Sequence, residues 1–326
     1  MLRLERLATT LARPTAAVLG AGLLLGATGL GVQGVQVDKD LPRYERAGGV
    51  SGSVKSVGSD TLNNLMTLWA EEFKKFYPNV NIEIEGKGSS TAPPALIEGT
   101  AQLGPMSRDM KGSEVDAFVS KYGYEPTPVR TAVDALAVFV HKDNPIKSLT
   151  MDQVRQIFSV EGEDGITWGD VGVNDPQFKD KPISLYGRNS ASGTYGFFKE
   201  TALGGADFKA GVKEQPGSSS VVQGVATDKT SIGYSGIGYK TADVRAVPID
   251  AVEATADNAY AGDYPLARFL YVYVNVPPGE PPSPIVREFV KLIFSQQGQQ
   301  VVVKDGYFPV TAQIAAEDLK KLNAAK

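Results

Sequence analysis

Two short, almost wholly apolar runs, residues 135–140 (ALAVFV) and 269–274 (FLYVYV), constrain this sequence more than any other feature. A strand with one face in water alternates apolar and polar residues, whereas a near-continuous apolar run reads as a strand buried on both faces. Such strands need helices packed on their sheet, which places the chain among α/β folds. Roughly 130 residues separate the two runs, enough for a second lobe. If both strands cross between lobes, the chain leaves the first lobe once and returns once. Lobe 1 is then expected from residues 51–135 and 270–326, and lobe 2 from 136–269.

The flanking pattern agrees with that class. Residues 54–57 read as a short strand ending at Gly58. Leu62, Leu65, Met66, Leu68, Trp69, Phe73 and Phe76 then recur at helical spacing, and Pro78 closes the segment. Residues 80–85 alternate as a strand that Gly86 and Gly88 end, and a second helix starts at about Thr91 and runs through Leu96 and Ile97. Residues 285–294 read as a helix that completes the first lobe. At 326 residues the chain exceeds what one compact core usually holds.

The start of the chain has the layout of a secretory signal peptide. Arg3, Arg6 and Arg13 precede an apolar stretch, residues 16–32, with small residues towards its end. That stretch approaches the lower length limit of a membrane-spanning helix, about 17 residues, but it is rich in glycine and lacks flanking aromatic side chains. Residues 1–34 are therefore expected to direct secretion across the cytoplasmic membrane, and residues 35–50 to form a flexible lead-in.

Composition removes several function classes. With no cysteine, disulfides, thiolate nucleophiles, Cys-bound zinc and a lipid anchor on cysteine are excluded. A single histidine, His141, would have to carry any Ser-His-Asp triad or multi-His metal site alone. It ends the first apolar run and reads as solvated or structural, and Trp168 reads as packing. A formal charge of −4 argues against a nucleic-acid partner, which calls for a basic stripe. It leaves room for a small anion in a locally positive site.

Three strand-to-helix junctions carry the chemistry. They are Gly58-Ser59-Asp60-Thr61, Gly86-Lys87-Gly88-Ser89-Ser90-Thr91, and Arg188-Asn189-Ser190-Ala191-Ser192-Gly193-Thr194. Each offers hydroxyls and unpaired backbone N–H groups at a helix start, where the partial charge is positive. Any one of them alone is ordinary helix capping. Three in one chain can surround a tetrahedral oxyanion without a metal, and Arg188 adds a planar, permanently charged fork. A fourth loop, Gly217-Ser218-Ser219-Ser220, follows no strong strand and reads as a turn or a peripheral contact.

These motifs, in this order, resemble the phosphate-specific substrate-binding proteins of ABC transporters, which have the type II periplasmic binding fold. The resemblance covers most of the chain after about Val54, and the Arg188 to Ser192-Gly193-Thr194 loop is its most specific part. Leu103-Gly104-Pro105-Met106-Ser107-Arg108 is similar to that family's fourth ligand loop. Gly298-Gln299 through Gly306-Tyr307-Phe308-Pro309 is similar to its C-terminal helix and turn. The resemblance implies two lobes, each a sheet flanked by helices, joined by two crossover strands.

It implies phosphate ligands at Ser59, Asp60, Thr61, Ser89, Ser107, Arg188, Ser192, Gly193 and Thr194. It implies no catalysis and no cofactor, and a periplasmic monomer that delivers phosphate to a membrane permease. Several relatives carry a carboxylate where this chain has Ser107, which accepts the proton of hydrogen phosphate. Here that role falls to Asp60 or Asp109. Competing readings are a binder of sulfate, molybdate or tungstate on the same fold, a secreted phosphatase, and a surface scaffold without ligand.

Overall fold

A computed structural model describes residues 34–322. The basic and apolar start behind the signal-peptide reading, residues 3–32, lies outside the described residues. The strands are β1 Ser53–Gly58, β2 Asn81–Gly86, β3 Leu103–Met106, β4 Thr127–His141, β5 Ser184–Arg188, β6 Lys213–Gln215, β7 Ser231–Gly236, β8 Val244–Ala246 and β9 Ala267–Val274. The helices are α1 Asn63–Phe76, α2 Ala92–Ile97, α3 Gly112–Tyr122, α4 Met151–Phe158, α5 Gly193–Thr201, α6 Ser218–Thr227, α7 Ala256–Ala261, α8 Pro284–Ile293, α9 Gln296–Lys304 and α10 Ala312–Lys321.

The strands form one curled path, β2-β1-β3-β9-β4-β7-β5-β6, with β8 paired to β4. The turning point is β4, which is 15 residues long. From Thr127 to Ala135 it pairs antiparallel with β9, and from Leu136 onward it pairs with β7 and β8. A single strand is therefore shared by both lobes. The second apolar run behaves differently from expectation. All of β9 pairs with β3 and the first part of β4, so its crossing point is its first residue, Ala267, opposite Ala135. The shared strand also starts well before the apolar run at 135–140. Its earlier half was obscured by Arg130, Thr131 and Asp134, whose polar groups find partners on α10 and β9.

Each lobe has its own core. The first gathers Trp69 and Phe73 of α1 against Phe289, Val290 and Ile293 of α8. The second gathers Phe158, Trp168, Phe198, Tyr234 and Tyr264. Residues 135–140 are buried throughout, as the run predicts. The segment expected as a flexible lead-in instead packs on the first lobe. Leu41 and Tyr44 are buried, and the Tyr44 hydroxyl lies 2.8 Å from that of Tyr77 and donates to Glu288 at 3.1 Å. This strap has no regular structure and hence no periodicity to read.

Phe198 ties the second core to the third junction. It stacks on Tyr234 with ring centres 4.0 Å apart and meets Phe158 edge-on at 5.2 Å. The Tyr234 hydroxyl accepts the backbone N–H of Arg188 at 3.2 Å. Truncation of a buried Phe costs about 3–5 kcal/mol. Phe198→Ala is therefore expected to lower the thermal unfolding midpoint by many degrees, read by circular dichroism. A midpoint within a degree of the parent's would show that this stack does not support the lobe.

Candidate functional site

Every candidate residue except Asp60 and Gly193 is a polar side chain almost wholly removed from water: Ser59, Thr61, Ser89, Ser107, Arg188, Ser192 and Thr194 are each at most 2% exposed. Buried hydroxyls must find partners, and here they find one another. Ser59 Oγ donates to Ser107 Oγ at 3.1 Å, and Ser89 Oγ lies 3.3 Å from the same atom. The Ser107 N–H donates to Ser89 Oγ at 3.0 Å. From the other lobe, Thr194 Oγ1 comes within 2.8 Å of Thr61 Oγ1 and 3.5 Å of Ser107 Oγ. Four loops, two lobes and one hydroxyl cluster thus meet.

The approach is close enough to explain two glycines. A Cβ at Gly193 would stand 2.2 Å from Ser89 Oγ and 2.7 Å from Ser107 Oγ. Gly88 has φ of +120°, and its Cβ would meet the Ala191 carbonyl oxygen at 2.5 Å. The neighbouring Ser90 N–H donates to that same carbonyl across the lobes at 3.1 Å. Ser192 accepts from the N–H groups of Thr194 and Tyr195 and so caps α5.

Arg188 forms the charged end of the site. Its Nη1 donates to Ser218 Oγ at 2.7 Å and its Nη2 to the Pro216 carbonyl at 3.2 Å. Asp60 reaches across from the first lobe, with Oδ2 3.3 Å from Arg188 Nη2 and accepting the Ser218 N–H at 2.8 Å. Arg188 Nε is buried and has no hydrogen-bond partner. Burial pushes the Arg188 guanidinium below its ordinary pKa, and Asp60 opposes that shift. An arginine in such a place favours an anion that can take up its remaining donor.

Ordinary helix capping does not account for Asp60, and two sequence-based expectations, for the Gly217–Ser220 loop and for Asp109, need correction. Asp60 is not a side-chain cap for α1: the N-cap is Leu62, without a side-chain bond, and only the Asp60 carbonyl serves that turn. Its carboxylate instead faces the N-terminus of α6. The Gly217–Ser220 loop is not peripheral, because Ser218 starts α6, is fully buried and holds both Arg188 and Asp60. Asp109 does not join the cluster. It is exposed and faces Tyr271, whose phenol is pushed up by burial first and by Asp109 second.

Sequence reasoning missed Arg268 and Asp134. They form an ion pair at 2.8 Å beneath the hydroxyl cluster, and both are buried. Their signal was present: each charge directly precedes one of the two apolar runs. Arg108, in the fourth loop, is held away from the cluster by two bonds to Glu114 at 2.7 and 2.8 Å. His141 is buried at the end of β4, where its Nδ1 accepts from the Asp143 N–H. Trp168 packs in the second core, with its indole N–H on the Thr230 carbonyl. Among the described residues no group of three or more His, Cys, Asp or Glu is placed to hold a metal ion. Beside the cluster, a cavity of about 1010 Å³ opens between the lobes, with Lys111, Ser192, Tyr195, Phe197 and Arg268 among its walls.

Comparison with known proteins agrees with this architecture. Residues 45–297 match the model of the PBP superfamily domain. The phosphate-binding protein PstS of Pseudomonas aeruginosa PAO1 is 57% identical over 317 residues, which cover 93% of this chain and 98% of the relative. PstS of Bacillus subtilis 168 is 30% identical over 273 residues, covering 82% and 84%. Among solved structures, a putative phosphate ABC transporter substrate-binding protein with bound phosphate from Clostridium perfringens superposes with a TM-score of 0.69 at 32% identity, covering 79% of this chain and 99% of that one. The two lobes around one shared strand, the four loops that meet between them and these likenesses together show that the chain belongs to the PstS family of phosphate-binding proteins within the PBP superfamily.

Proposed function

We propose that this protein binds inorganic phosphate between its lobes and hands it to an ABC-type importer in the membrane. The observation that carries this reading is Arg188. A buried guanidinium, shared between Asp60 of one lobe and Ser218 of the other, keeps one donor unused beside a cluster of hydroxyls. A dianion leaves water only if almost all of its hydration is replaced by hydrogen bonds. The hydroxyls of Ser59, Thr61, Ser89, Ser107 and Thr194, the N–H group of Gly193, and Arg188 supply donors without a metal. The named relatives and the phosphate-bound structural neighbour support the choice of anion.

Residues 51–135 with 268–326 then act as one lobe and 136–266 as the other, closing about the crossing at Ala135 and Ala267. Phosphate stabilises the closed form because it takes hydrogen bonds from both lobes. We place the mature protein outside the cytoplasmic membrane, as a monomer with no enzymatic activity and no nucleic-acid partner. Among the described residues no helix is long and apolar enough to cross a membrane.

Asp60 supplies the discrimination. Its Oδ2 is held by the Ser218 N–H and Arg188, which leaves Oδ1 to accept the one proton of hydrogen phosphate. Sulfate would present a bare oxygen to that carboxylate, a repulsive contact in a dry cleft. Calorimetry of the phosphate-stripped protein tests the reading. Tight binding of phosphate, with sulfate, molybdate and a phosphate monoester much weaker, is expected. Tighter binding of sulfate or molybdate would overturn it, and turnover of a chromogenic phosphate ester would point to a phosphatase.

Single variants test the parts. A charge-assisted hydrogen bond is worth about 1.5–3 kcal/mol, so Arg188→Met is expected to weaken phosphate binding by about ten- to hundredfold in a protein that still folds. Affinity within about twofold of the parent's would remove Arg188 from the site. Gly193→Ala places a methyl group on the Ser89 and Ser107 hydroxyls. It is expected to hold the lobes apart, with a radius of gyration in phosphate that stays at the phosphate-free value; normal compaction would show that the loops have room to yield. Asp60→Asn keeps the acceptor for the Ser218 N–H but adds a donor. Competitive calorimetry at neutral pH should then show sulfate gaining on phosphate, and an unchanged ratio would clear Asp60 of the discriminating role.

A further inference from the structure

Arg268 occupies the second residue of β9, directly opposite Asp134 of β4 and one residue from the crossing between the lobes. Its Nε and Nη2 donate to Asp134 Oδ2 at 3.0 and 2.8 Å. The other oxygen of Asp134 accepts the Ile237 N–H of the second lobe at 3.0 Å. The rest of the guanidinium points into the loops. Nη1 donates to the Ser107 carbonyl at 2.8 Å, and Nη2 also donates to Thr194 Oγ1 at 3.0 Å. The Phe197 ring covers the guanidinium at 5.1 Å. One side chain therefore grips the hinge strand, a first-lobe loop and the start of α5 at once.

We infer that Arg268 is a positioning residue that locks the closed state: anchored on Asp134, it holds Ser107 and Thr194 in register across the hinge. This rests on the phosphate reading above. Asp134 lies in β4 and Ser107 directly follows β3, both on the first-lobe side of the crossing, so these two contacts persist when the lobes part. The contact to Thr194 needs α5 to come up against the first lobe, so it forms with closure. Interactions present only in the closed form slow its opening and leave the first encounter with the anion largely unchanged. A guanidinium is suited to this because its donors diverge in a fixed plane, whereas an ammonium can satisfy Asp134 but not reach two further acceptors at fixed angles.

Arg268→Lys keeps a cation beside the buried Asp134. The prediction is phosphate dissociation, followed by stopped-flow fluorescence, about tenfold faster or more, with an association rate within about twofold of the parent's. A purely structural role would lower thermal stability and the fraction of active protein but leave the dissociation rate of the folded fraction as it was. Phe197→Leu removes the covering ring and leaves every hydrogen bond in place, so it decides the question if the lysine variant does not fold. It is expected to speed dissociation by about twofold or more, the range of a modest cation–π contact. Dissociation at the parent's rate in the folded variants overturns the inference. Failure of the unsubstituted protein to bind phosphate would overturn the functional reading instead, and the two failures are separable because the parent is measured first.

Discussion

The site depends on keeping one positive charge out of water. Burial lowers the stability of the Arg188 cation, and only partial compensation comes from within its own lobe, through Ser218 and the Pro216 carbonyl. Asp60 brings the opposite charge from the other lobe. Both lobes thus contribute to the electrostatic balance around Arg188. A buried charge whose partner is removed is strongly destabilising. The start of α6 is tied to these two groups, because Ser218 bonds to both.

The lobes can meet in a defined way because they share β4. A strand that belongs to two sheets transmits position along its backbone, and its pairing changes from β9 to β7 between Ala135 and Leu136. The ion pair of Asp134 and Arg268 sits at that change. Its charges would be costly in a plain apolar core, but here they take further partners in Ile237, Ser107 and Thr194. The ion pair at the shared strand therefore also touches the loops that meet between the lobes.

Much of this was legible in the sequence because it is local. The apolar runs, the helix through Trp69 and Phe73, and the three Gly-Ser-Thr junctions each state their structure within a few residues. What escaped depends on contacts between distant segments. Ser218 looked like a turn residue because its partners, Asp60 and Arg188, lie 158 and 30 positions away. The earlier half of β4 looked too polar for a buried strand because Asp318 and Arg268 come from the far end of the chain. The strap around Tyr44 makes its contacts through isolated side chains and so leaves no period to detect. Asp60 lies in the first loop, where capping preferences point to α1, but its carboxylate faces α6.

The central claim is the place of the anion, and a crystal structure of the phosphate complex tests it most directly. Phosphate is expected between the lobes, within hydrogen-bonding distance of the Arg188 guanidinium and the Ser107 and Thr194 hydroxyls, with one oxygen against Asp60 Oδ1. Phosphate located elsewhere, for example in the cavity beside Lys111 and Tyr195 with Arg188 and Asp60 still bonded to each other, to Ser218 and to the Pro216 carbonyl, would contradict the account.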